Sequence, residues 1–192
     1  MNKIKLGPKT FLYPLPTVLV GSHVNGKPTF MTAAWVTMAD PKPPTLAISL
    51  MKIRYTLKGI RENEAFSVNI PSTDLVKDVD YCGIYSGKKI DKSEIFEVFY
   101  GELKAAPLIE KCPMNLECRL TQSIELGQYI LLIGEIVELH VDADCMTEGK
   151  MDPSKIDPLI YAPGILNYYS LGKIVAKAFS VGKKTGESKH NS

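Results

Sequence analysis

The chain has 192 residues, 45% hydrophobic and 23% charged, ordinary proportions for a globular protein long enough to bury a substantial core. A formal net charge of +2 argues against nucleic acid as the main partner, since a duplex binder carries a strong basic footprint. No apolar run reaches membrane-spanning length, and the basic N-terminus Met1–Pro8 lacks the apolar centre of a secretion signal, so the expected compartment is the cytoplasm, with no membrane partner. Cys82, Cys112, Cys118 and Cys145 form no CxxC pair, and His23, His140 and His190 supply no zinc spacing, so no metal is expected.

In chain order, Phe11 to Val24 reads as a strand, and Asn25-Gly26 is the strongest hairpin signal present. Pro28 to Met38 is the expected returning strand, Pro41 to Pro44 a break, and Thr45 to Leu50 a short apolar strand. Thr56 is placed to cap a helix containing Leu57 and Ile60 that ends near Asn63. Phe66 to Ile70 is a further strand, stopped by Pro71. Ser72 or Thr73 then caps a helix from Asp74 to Cys82, with Leu75, Val76, Val79 and Cys82 on one face and Gly83 as its stop. Asn115 to Ile124 alternates apolar with polar, as a half-buried strand does. Tyr129 to Val141 is the longest β-like run, and Gly134-Glu135 in its middle marks a bulge. The pattern predicts one mainly β domain over residues 1–181, a β-barrel with short helices. A Lys-, Gly- and Ser-rich tail follows over residues 182–192 and is expected to be disordered.

Catalytic signatures are missing. The chain has no GxSxG, HExxH or P-loop, and no GxGxxG follows a strand. No histidine has a neighbouring partner to orient it as a base. Such silence fits a cofactor that brings its own chemistry. Three clusters are compatible with a flat, phosphorylated aromatic ligand. Thr32-Ala33-Ala34-Trp35 combines small residues with an aromatic, although it also reads as a tightly packed strand around a core tryptophan. Ser49 with Arg54, Tyr55 and Thr56 places hydroxyls, a helix start and a forked cation together, although an arginine there is usually a solvated charge. Asp80 to Lys92 supplies Ser86, Gly87 and Lys92, and otherwise reads as a helix end with a polar loop. Cys82 sits on the apolar face of its helix, which favours burial over reactivity.

The order of these segments, with DYCG and SG preceding DK in residues 80–92, resembles the flavin reductase-like family of FMN-binding split barrels, its flavoredoxin branch in particular. Ala105-Ala106-Pro107-Leu108-Ile109 and Tyr168-Tyr169-Ser170-Leu171-Gly172 fall in the family's order as well. The resemblance implies an antiparallel split barrel of Greek-key type that binds FMN, with the flavin N5 rather than a side chain carrying the chemistry. It places Thr32, Ala33, Ala34 and Trp35 along the isoalloxazine. Ser49, Arg54, Tyr55 and Thr56 then surround the phosphate and ribityl chain, and Ser86, Gly87 and Lys92 border the phosphate. It further implies a homodimer, with either NAD(P)H or a redox protein such as hydrogenase or ferredoxin as electron donor. Tyr168 or Tyr169 either stacks on a ring or fills a dimer contact. The alternative is a non-enzymatic barrel that holds another ligand, such as haem, or a protein partner. An oligonucleotide-binding barrel is disfavoured by the modest charge.

Overall fold

The computed structural model describes residues 1–183. The tail expected to be disordered, residues 182–192, lies from residue 184 onward outside the described residues.

An antiparallel seven-stranded sheet dominates. Its strands are β1 (Val18–Val24), β2 (Lys27–Ala33), β3 (Val36–Pro41), β4 (Pro44–Met51), β5 (Ala65–Ile70), β6 (Met114–Leu126) and β7 (Tyr129–Val141). Their spatial order is β2-β1-β5-β6-β7-β4-β3. The two edges of that order are consecutive in the chain, with only Ala34 and Trp35 between them. A flat sheet of this width would hold its edges about 29 Å apart at roughly 4.8 Å per strand spacing. Two residues bridge about 10 Å between strand ends. The sheet must therefore curl, and Ala34-Trp35 is the seam of a split barrel.

Alternation along the strands fills the barrel. Val20, Ile48, Phe66, Ile130 and Leu132 pack in its interior. Helix α1 (Tyr55–Asn63) adds Leu57 and Ile60 to that core. Gly59 lies so close to the His23 carbonyl that a Cβ there would overlap it, so α1 is seated directly on the β1 backbone. A second apolar cluster lies outside the barrel wall, where Leu19 and Phe30 meet Val79 and Cys82 of helix α2 (Val76–Ile84), together with Phe96 and Ile109.

Asn25 and Gly26 both have positive φ (53° and 76°), as the hairpin signal requires. The β6–β7 register shifts between Ile133 and Gly134, where a bulge is expected. The reason is packing: a Cβ at Gly134 would lie 2.6 Å from Cζ of Phe66. Other expectations are corrected. Pro28 to Met38 is two strands, because the chain must turn at the seam. Pro41 to Pro44 is not a break between elements, since Pro41 and Pro44 face each other in the β3–β4 register and close a tight hairpin. Arg54, not Thr56, occupies the N-cap of α1, and no side chain caps it. Thr56 is buried in the first turn of α1. Gly83 does not stop α2, which runs through Ile84 and uses Gly83 to approach Thr32.

A buried polar ladder, invisible in the hydropathy pattern, fastens the segment between α2 and β6 to the barrel. Ser67 Oγ donates to the Pro107 carbonyl at 2.5 Å, and Asn69 Oδ1 accepts from Ile109 N at 2.9 Å. Asn115 Nδ2 donates to the same Asn69 oxygen at 2.8 Å. Glu117 accepts from Leu103 N and from His140 Nε2, both at 2.7 Å. Each side chain of this ladder thereby has a partner, the condition under which buried polar groups are tolerated.

Candidate functional site

Candidate residues collect at the seam. Ser49 N donates to the Trp35 carbonyl at 2.9 Å, which ties the bridge between β2 and β3 to β4. Trp35 is 39% exposed and stacks on Tyr129, with ring centroids 4.8 Å apart and planes inclined by 21°. Beside this aromatic pair lies a groove of about 310 Å³ lined by Thr32, Ala33, Ala34, Trp35, Ser49 and Arg54, with Tyr129 and Tyr161 completing its walls. The alanines matter because they project only a methyl group each across the floor. A flat ring can therefore approach the backbone.

Arg54 reaches the groove from the N-cap of α1. Its Nη1 donates to the Gly83 carbonyl at 3.2 Å, and among the described residues no carboxylate pairs with it. The rest of its fork remains uncommitted, an arrangement suited to an anionic oxygen group. An adjoining compartment of about 370 Å³ shares Thr32, Ala33, Ala34, Arg54 and Tyr161 and adds Thr17, Asp80 and Tyr168. Among the described residues the Thr17 hydroxyl is buried without a hydrogen-bond partner, as is that of Thr29 in another pocket. An unpaired buried hydroxyl costs about 1–3 kcal/mol. Tyr168 donates its hydroxyl to Asp80 Oδ1 at 3.0 Å. Burial first, then the Asp80 carboxylate, pushes the Tyr168 phenol up to about 12, so it stays a protonated donor at neutral pH.

The other expected site residues lie elsewhere. Thr56 is inside α1 and does not line the groove. Tyr55, Gly87 and Lys92 line a separate pocket of about 330 Å³ together with Thr29. A Cβ at Gly87 would stand 2.6 Å from the Tyr55 ring and 2.9 Å from the Thr29 hydroxyl, so the bare glycine lets this loop close against the barrel. Ser86 is spent on the same turn, its carbonyl accepting from Lys89 N at 2.9 Å and its hydroxyl from Lys88 N at 3.3 Å. Lys92 is a buried strut whose ammonium donates to the carbonyls of Phe30 and Cys82, both at 2.9 Å. Burial lowers its pKa, with nearby Arg54 adding to the effect. Thr32 keeps its place in the groove, but its hydroxyl proton goes to the Val79 carbonyl, leaving only lone pairs for a ligand.

Sequence reasoning missed Thr17, Tyr129 and Tyr161. Tyr129 has no local signal beyond opening a strand, and it meets Trp35 only because β7 pairs with β4 in this register.

The cysteines are all free and buried. Burial pushes the Cys82 thiol up to about 11 and raises Cys112 and Cys118 further. The folded protein is therefore expected to give almost no reaction with a disulfide reagent at pH 8, and four thiols after denaturation. A fast-reacting native thiol would show that Cys82 is not held as described.

Residues 10–170 match the family described as flavin reductase like domain. The chain is 41% identical to the flavoredoxin of Methanosarcina acetivorans, covering 96% of this chain and 100% of that one, with a TM-score of 0.94. For the flavoredoxin of Desulfovibrio vulgaris (Miyazaki F) the identity is 40%, over 94% of this chain and 100% of that chain, with a TM-score of 0.88. An uncharacterized protein of Archaeoglobus fulgidus is 40% identical over 145 residues, 74% of this chain and 80% of its own length. A split barrel whose seam carries this groove, matched over nearly its whole length, belongs to the flavin reductase-like family.

Proposed function

We propose that the chain binds FMN in the seam groove and serves as a flavin oxidoreductase or electron carrier of the flavoredoxin type. The observation that carries this reading is the groove itself, a flat aromatic wall and a floor of small side chains beside an arginine with uncommitted donors. The residues present fit the group. Trp35 and the Ala33–Ala34 backbone would hold the ring, Arg54 the phosphate, and the unpaired Thr17 hydroxyl a polar edge or ribityl oxygen. When bound, the flavin supplies the redox chemistry, accepting a hydride or electrons and passing them on.

The chain's own residues position and shield. Trp35 and Tyr129 cover one side of the groove. Ser49 fixes the seam backbone through its amide, so the floor cannot sag away from a ring. Tyr168 keeps its proton on the phenol oxygen and points it at Asp80, so the adjoining compartment presents a neutral hydroxyl already paired with a side-chain acceptor.

As electron donor we propose NAD(P)H or a small redox protein, in a homodimeric protein of the cytoplasm. Leu166, exposed and lining the compartment that adjoins the groove, supports dimerisation. Four unpaired thiols suit a reducing compartment. No helix of the described residues is long and apolar enough to cross a membrane.

Two readings of the donor separate in one experiment, the visible spectrum of the purified protein followed by NADH or NADPH without oxygen. The expected result is an oxidised-flavin spectrum. Bleaching by either nucleotide identifies a flavin reductase, and indifference to both identifies a protein-fed carrier. A colourless protein that takes up no FMN contradicts the proposal.

A further inference from the structure

The turn from β4 into α1 carries positive charge that the seam groove does not use. A shallow depression of about 410 Å³ is lined by Lys52 in that turn, by Lys58 and Arg61 on α1, and by Lys88 in the loop after α2. All four are exposed. Arg54 lines this depression and the seam groove alike, so the patch borders the candidate flavin site. Among the cations stands Ile53, 71% exposed.

Carboxylates offset this charge only in part. Glu62 pairs with Lys58 at 3.7 Å, and Glu125 is shared between Lys52 and Arg61, 2.8 Å from the latter. Lys88 has no carboxylate partner among the described residues. Five cations against two carboxylates leave an excess of three positive charges on this face, whereas the whole chain carries only +2. The rest of the chain is thus slightly negative, and the charge is polarised toward this side of the groove. Such polarity steers and orients an oppositely charged partner.

The exposure of the cations decides what kind of partner. A small anion is held by convergent, partly buried donors, as Arg54 offers in the seam. Lys52, Lys58 and Arg61 are instead spread along the turn and helix and already pair with carboxylates, so each adds little at close range. Over a broad surface the same charges act together out to a Debye length, about 8 Å at physiological salt. Charge surrounding an exposed apolar side chain also has the anatomy of a protein contact, with its apolar centre and polar rim.

We propose that this face docks the acidic surface of a small one-electron redox protein, which exchanges electrons with the flavin beside Arg54. This rests on the flavin reading above and names the kind of protein donor. Two reduced partners each give up one electron in succession and, with two protons from solvent, reduce one FMN.

The test uses the full chain loaded with FMN and, as probe, a plant-type [2Fe–2S] ferredoxin, an acidic one-electron protein. In calorimetric titration its affinity should fall at least about tenfold between about 20 and 300 mM salt. The double variant Lys58→Glu, Lys88→Glu should bind it at least about tenfold more weakly at low salt. Both side chains lie outside the seam groove, so FMN affinity stays at the wild-type value. In stopped flow, reduced ferredoxin should bleach the flavin of the variant more slowly by a similar factor. Equal affinity in variant and wild type, indifference to salt, no binding, or equal binding of a basic cytochrome c overturns the docking face. A variant that loses NADPH affinity, in a protein that does not bind ferredoxin, shows the patch reading phosphate and overturns it too. Repeating the titration with flavin-free protein keeps the two readings apart. Ferredoxin binding by a chain that takes up no FMN upholds the docking face and refutes the flavin assignment, whereas an FMN-loaded chain that ignores ferredoxin refutes the docking face alone.

Discussion

Replacing Arg54 with alanine is expected to weaken FMN binding about 100-fold and to leave the fold nearly unchanged. Charge-assisted hydrogen bonds are worth about 1.5–3 kcal/mol each, and about 2.7 kcal/mol corresponds to a hundredfold in affinity. Arg54 is half-buried, and its sole side-chain bond within the described residues goes to the Gly83 carbonyl, so its removal costs the barrel little. Arg54→Lys should fall between, about tenfold weaker, because a point charge replaces the fork. Calorimetric titration of both variants with FMN reads the effect directly. Wild-type affinity in Arg54→Ala would remove this residue from the phosphate site.

Glu117→Ala is expected to cost about 3–4 kcal/mol of stability, enough to threaten folding of a marginally stable domain. Glu117 is fully buried, yet both its oxygens are engaged, one by His140 and the other by the amide of Leu103. Gly101 lies against the same carboxylate, so closely that any Cβ there would overlap it. Truncation leaves an amide and an imidazole without their acceptor and opens a cavity under the segment that covers the outer barrel wall. Glu117→Gln preserves shape and the amide contact, so a loss of about half that size is expected. Urea denaturation measures both. A loss below about 1 kcal/mol in the alanine variant would mean that the ladder does not hold this segment.

What the sequence made legible was local chemistry. Asn25-Gly26 announced a hairpin because only such residues accept two positive φ angles in succession. Gly134 announced a bulge because a glycine inside a strand usually marks a close approach, here by the Phe66 ring. Thr32 to Trp35, Ser49 and Arg54 were legible as a group through their order along the chain, and the curl of the sheet places them on one groove. Long-range pairing was opaque. Nothing around Tyr129 indicates that β7 will carry it onto Trp35, and nothing around Thr17 indicates a hydroxyl left without a partner. Lys92 looked like a free cation in a basic loop. It is instead a strut between β2 and α2, because two carbonyls left over from those elements need a donor. The break at Ala34-Trp35 was equally hidden, since Pro28 to Met38 has strand-forming residues throughout and only closure of the barrel interrupts it.

The central claim is that the seam at Trp35 is the flavin site. Trp35 is the only tryptophan in the chain, so its emission reports on that groove alone. Titrating the flavin-stripped protein with FMN should quench this emission to saturation, and Arg54→Ala should need far more ligand to reach the same end point. Tryptophan emission that stays constant through an excess of FMN would contradict the assignment.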